Sequence, residues 1–107
     1  MDLREITKKD ARTFILKALK KLKISFCHIT FKVLSSSEEE FNIAVKYGYI
    51  NDTIHKQIWH LRRDVAVLEA DGQTTIFTDF WTNNLKKIAE GKTGTSPKSN
   101  ITERIKD

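Results

Sequence analysis

Three histidines, a single cysteine and a run of three glutamates are the side chains best equipped for chemistry in this 107-residue chain. Cys27 and His28 are neighbours in an extended-looking segment, where successive side chains point to opposite faces, so the pair makes a poor metal site. His55 and His60 lie five residues apart and would occupy different faces of a helix, which is no metal-ligand spacing. Cys27 has no partnered base motif. Glu38, Glu39 and Glu40 are better explained as the first turn of a helix, where carboxylates meet the positive end of the dipole, than as acid–base groups. There is no Gly-rich phosphate loop. The expectation is a protein with no catalytic residues, metal, cofactor or small-molecule substrate.

Without catalysis in view, charge is the next guide. Nineteen Lys and Arg stand against fourteen Asp and Glu, a formal charge of +5 and a pI near 9.4. The excess is concentrated: residues 1–23 carry eight basic and three acidic side chains. Such an excess favours phosphate backbones through counterion release, although a basic face is more often simply solvated. With 39% hydrophobic and 31% charged residues the composition is that of a small globular domain with one core. No apolar run approaches the ~18 residues of a membrane span. The charged opening Met1–Glu5 lacks a signal core, and one cysteine permits no internal disulfide, so a reducing, cytoplasmic setting is expected.

The elements follow from periodicity. Ala11, Phe14, Ile15, Ala18, Leu19 and Leu22 share one helical face, with Thr7 and Asp10 placed as its N-terminal cap. Ile24 to Leu34 is β-branched and aromatic and predicts a strand. Residues 41–50 fit either period: Phe41, Ala44, Val45 and Gly48 suit a helix, Phe41, Ile43, Val45 and Tyr47 a strand. Ser37 with Glu40 matches a capping box, which favours a helix over about Glu38 to Tyr47. A second helix would start at Asn51 or Asp52 and bury Ile54, Ile58 and Leu61. That periodicity can run on through Val65 and Leu68 as one long helix. The alternative, two strands, Val65–Ala70 and Gln73–Thr78, flanking Asp71-Gly72 as a hairpin turn, is preferred. Asp79 can cap a last helix that Gly91 ends. Residues 1–91 thus read as one domain and 92–107 as a flexible basic tail.

The order helix, strand, helix, helix, hairpin, helix resembles the winged helix-turn-helix superfamily over residues 3–78, an α+β class. Ala44, Gly48 and Ile54 have the spacing of a helix-turn-helix, and Thr53 to Arg63 is similar to a recognition helix, with the Asp71-Gly72 hairpin as the wing. The apolar connection Tyr49-Ile50-Asn51-Asp52 and the long first strand depart from that pattern. The resemblance implies binding of double-stranded DNA by Asn51, Thr53, His55, Lys56, Trp59, His60, Arg62, Arg63 and Gln73. Within that set Lys56 and Arg63 would project away from the core, while Trp59 would face DNA or fold under the wing or into a dimer contact.

Two functions are therefore expected in turn. One is a DNA-binding transcriptional regulator or accessory factor of replication or recombination. The other is a non-enzymatic interaction protein with a homodimeric or protein partner, of the kind mobile elements encode against host machinery. RNA binding ranks third, for lack of a single-strand stacking motif. Lys17 and Lys20 on the first helix mark the competing face: binding that depends on them would misassign the recognition helix.

Overall fold

The computed structural model describes residues 2–51 and 53–92. A short 3-10 turn, Leu3–Glu5, leads into α1, Lys8–Lys21. Five strands follow: β1, His28–Ser36; β2, Glu40–Gly48; β3, His55–Arg62; β4, Ala66–Ala70; and β5, Gln73–Phe77. The last element is α2, Asp79–Lys92. The strands form an antiparallel meander in the order β1-β2-β3-β4-β5. None of the described helices is long and apolar enough to cross a membrane.

α1 forms where its local signals put it. Thr7 accepts from the Asp10 amide at 3.0 Å while the Asp10 carboxylate accepts from the Thr7 amide at 3.0 Å, a reciprocal cap. Ala11, Phe14, Ile15, Ala18 and Leu19 form its buried stripe. The helix ends in a Schellman arrangement: the Ile24 amide bonds to Leu19 O and the Lys23 amide to Lys20 O. This places Lys23 at φ 61°, where glycine is usual.

The expected winged-helix architecture is not the one the chain adopts. Residues 38–47, read as a helix, instead turn into and form β2. Burial alternates along it, with Phe41, Ile43 and Val45 inward and Lys46 outward. The Ser37–Glu40 signal has a real counterpart but a different use. Ser37 Oγ accepts from the amides of Glu39 (3.4 Å) and Glu40 (3.2 Å), and the Ser37 amide donates to Glu40 O at 2.8 Å. Those bonds close the β1–β2 turn instead of opening a helix, since the same side-chain bond serves both.

The supposed recognition helix is also absent. Its residues form β3, registered against β2 as Phe41↔Leu61, Ile43↔Trp59 and Val45↔Gln57. The stripe Ile54, Ile58, Leu61 does not exist as a face: Leu61 is buried, Ile54 is exposed, and Ile58 faces outward at Ala44. Gln57, Trp59 and Leu61, two apart, are the buried set. The Asp71-Gly72 hairpin forms as read, with β4 and β5 paired and φ values of 52° and 75° at the turn. The first strand starts later than read, at His28, and α2 includes Gly91. The expected tail lies outside the described residues, apart from Lys92, which closes α2.

Both helices pack on one face of the sheet. Phe14 is the hub, with ring centroids 5.9 Å from Trp59, 5.3 Å from Phe80 and 4.7 Å from Trp81. Trp59 stacks on Phe77 at 5.5 Å, and the Trp81 indole donates to Arg62 O. Among the described residues no helix covers the opposite sheet face. Its cross-strand rows include Thr30–Lys46–Lys56 and Asn42–His60–Val67–Ile76.

Candidate functional site

The helix layer holds the basic charge. Residues 8–23 carry seven basic side chains against one acidic, whereas residues 24–78, all five strands and their turns, carry five against seven. The segregation follows from the fold. α1 uses its apolar stripe for the core, which leaves Lys8, Lys9, Arg12, Lys17, Lys20 and Lys21 exposed on the other side.

The two helices run antiparallel across the layer. Lys21 Nζ lies 5.3 Å over the Phe80 ring, and Lys17 Nζ donates to Asn84 Oδ1 at 3.4 Å. Between them runs a groove of about 310 Å³ lined by Lys9, Thr13 and Lys17 from α1 and by Asn84 and Lys87 from α2. Lys9, Thr13 and Lys17 are spaced four apart and therefore form one row along the helix. Asp10 is the one acidic residue in this lining and is engaged in the α1 cap. Arg12 leans the other way, its guanidinium carbon 5.9 Å from the Phe31 ring centroid. The groove thus sets three lysines beside two neutral polar side chains, Thr13 and Asn84.

The residues expected to contact DNA are not gathered on one surface. Trp59 is fully buried in the core, its Nε1 donating to Gln57 Oε1 at 3.0 Å. His55 stacks on Tyr47 at 5.1 Å on the helix-covered side of the sheet, opposite Lys56. Lys56 pairs across strands with Lys46 on the open face. His60 is spanned by Asn42 Oδ1 at 2.8 Å and Glu69 Oε1 at 3.2 Å. Arg62 is ion-paired to Glu40 at 2.9 Å, and Arg63 donates to Glu38 O at 3.4 Å. Asn51, at φ 64°, and Thr53 are exposed in the β2–β3 turn, where Asp52 lies outside the described residues. Gln73 opens β5 at the hairpin tip.

Lys17, Asn84 and Lys87 were outside the expected set. Their signal was present in the lysine-rich face of the first helix, but only the antiparallel approach of α2 turns that face into a groove. Elsewhere, several charges are paired locally. The Asp2 carboxyl is held down to about 2, chiefly by hydrogen bonds from the Arg4 side chain and backbone. Glu40 is lowered from 4.5, first by the Asn42 amide and then by Arg62. The Cys27 thiol is exposed, its Sγ 3.6 Å from Gly48 O. Among the described residues no three His, Cys, Asp or Glu side chains gather as a metal ion requires. Compared with known protein families, curated proteins and solved structures, the chain matches none.

Proposed function

We propose that the protein binds double-stranded DNA through the phosphate backbone, with the α1–α2 layer as its contact surface. The observation that carries this reading is the charge segregation: seven basic side chains against one acidic over residues 8–23, next to a sheet whose own balance is acidic. Surface charge spread for solubility alone needs no such division. The exposed side chains of α1 and α2 include no aromatic platform, which favours a duplex over stacked single strands. Backbone binding without base readout fits an accessory factor that coats or bends DNA. Titration of random-sequence and mixed duplexes at two salt concentrations tests it. The expected result is affinity that falls steeply with salt and varies little with sequence. No binding at low salt overturns it.

A second reading, a protein-interaction module, rests on the β2–β3 turn. Tyr49 is 45% exposed, Ile50 77% and Ile54 45%, an apolar cluster in one turn. Self-association through it would appear as concentration-dependent sedimentation that Ile50→Asp removes. Sedimentation as a monomer at all concentrations removes the homodimeric form of this reading.

A further inference from the structure

α1 does not reach the end of the sheet. After Leu22 the chain turns through Lys23 toward Ile24, beside the ends of β2, β3, β4 and β5. A cavity of about 360 Å³ lies there, walled by Leu22 and Ile24 on one side and by Leu68 and Ala70 on the other. Tyr47, Gln57, Asp71, Gln73 and Thr75 supply its polar lining.

Gln57 is the unusual member. It is 3% exposed and is the one polar or charged side chain buried to that degree among the described residues. Its Oε1 accepts from Trp59 Nε1 at 3.0 Å, and this bond fixes which end of the amide is which. The Nε2 group, with two donor hydrogens, has no protein partner among the described residues. Buried donors in folded proteins are nearly always met, by protein, water or ligand. The Trp59 indole uses only the carbonyl end of this side chain, so the amide donors are left over from the core's own bonding. A buried hydrogen-bond donor thus stands in the wall of a recess of mixed apolar and polar lining, where a small molecule could meet it.

The other polar groups narrow the ligand. Among the described residues no Lys or Arg lines the cavity, and Asp71, on the β4–β5 turn, is part of its lining. Burial and Asp71 together push the Tyr47 phenol up from 10.0, so the recess disfavours negative charge. We infer that this cavity binds a small neutral molecule of the amide or lactam class. Its carbonyl would accept from Gln57 Nε2, its N–H would face Asp71, and its ring or chain would lie among Leu22, Ile24, Leu68 and Ala70. The site is separate from the α1–α2 groove and does not depend on DNA binding.

The test is a ¹⁵N–¹H NMR titration of the full chain with 2-pyridone, observing the Gln57 side-chain amide and the backbone amides of Ala70 and Thr75. The expected result is saturable shifts at these groups with millimolar affinity. N-Methyl-2-pyridone, which lacks the N–H, should bind more weakly. Ala70→Leu fills the recess from the β4 position across from Gln57 while keeping the Gln57 amide, and should weaken binding at least roughly tenfold. Should that variant fail to fold, Thr75→Leu narrows the same recess from the exposed strand β5. Gln57→Glu keeps an acceptor for Trp59 while removing the amide donors, and should weaken binding by roughly tenfold. Absence of saturable shifts, or shifts that persist unchanged in the filled variants, leaves solvent as the partner of Nε2 and overturns the inference.

Discussion

Removing the two lysines that flank the groove, Lys17 on α1 and Lys87 on α2, should change how DNA binding responds to salt. The row along the helix layer offers Lys9, Lys17, Lys20, Lys21 and Lys87, and each phosphate neutralised adds about 0.9 to the slope of log K against log salt. Five contacts give a slope near −4.5, so affinity should drop roughly 500-fold between about 50 and 200 mM salt. The Lys17→Ala/Lys87→Ala protein should show a slope near −2.7 and a drop of only roughly 40-fold over the same interval. Both residues are exposed on a helix surface, and alanine favours helix, so folding should be untouched. Lys46→Ala/Lys56→Ala is the matched control on the open sheet face. It removes two charges that oppose each other directly across β2 and β3, which should leave the slope unchanged and slightly stabilise the fold. Fluorescence anisotropy with a labelled duplex, repeated at four salt concentrations, gives the slopes. A slope that falls in the sheet-face variant and not in the groove variant would refute the assignment and put DNA on the open sheet.

Two further outcomes concern the scaffold. Lys23 occupies φ 61° at the end of α1, so Lys23→Gly relieves a left-handed conformation and should stabilise the protein by about 1 kcal/mol in thermal denaturation; a lower Tm would contradict the strain. Glu40 is held below its ordinary value of 4.5, first by the Asn42 side-chain amide at 3.1 Å and then by the Arg62 charge. A lowered carboxylate contributes stability that is present above the unfolded value and lost as pH falls through the folded one. The contribution from Glu40 should therefore fade below pH 4.5, and that from Asp2 between 3.8 and about 2. In Asn42→Ala, the NMR titration of Glu40 should move back up toward 4.5; an unmoved midpoint would discount the amide.

What could be read from the chain depended on whether local signals and tertiary use coincide. At α1 they do: the Thr7 cap, the 3.6-residue stripe and the C-terminal turn all concern residues within one helix. At Asp71-Gly72 they do as well, because only a tight hairpin needs two successive positive φ values. At residues 37–48 they part. The Ser37 hydroxyl makes the bonds of a helix cap within a hairpin turn, and only the sheet on both sides of β2 decides between the two periods. The helical reading then carried Asn51 to Arg63 with it and placed eight candidate residues on one helix, whereas β3 turns His55 and Trp59 to one face and Lys56, His60 and Arg62 to the other. Charge was legible as a segment, residues 1–23, but the groove was not, since it needs Asn84 and Lys87 brought alongside from more than sixty residues away.

The disputed segment offers its own decisive measurement, because the two periods assign opposite values to adjacent residues. On a helix burying Ile54, Ile58 and Leu61, truncating Ile58 would cost about 2–5 kcal/mol. In β3, Ile58 is half-buried on the helix-free face, where it meets Ala44 and Glu69 across the neighbouring strands. Its replacement by threonine keeps the β-branch and strand propensity, so Ile58→Thr should cost under about 1 kcal/mol. Leu61, on the other face, is fully buried opposite Phe41 and Ala66. Leu61→Ala leaves a void beneath the aromatic cluster of Phe14, Trp59 and Trp81 and should cost about 2–5 kcal/mol. For an ordered region of this size, a total stability of about 5–14 kcal/mol leaves that variant marginal. Urea denaturation followed by the fluorescence of the buried Trp59 and Trp81 measures both. The informative quantity is the difference between the variants, since both are read against the same unfolded chain. Equal losses at Ile58 and Leu61 would mean that the two side chains share a face, which β3 forbids and a helix requires.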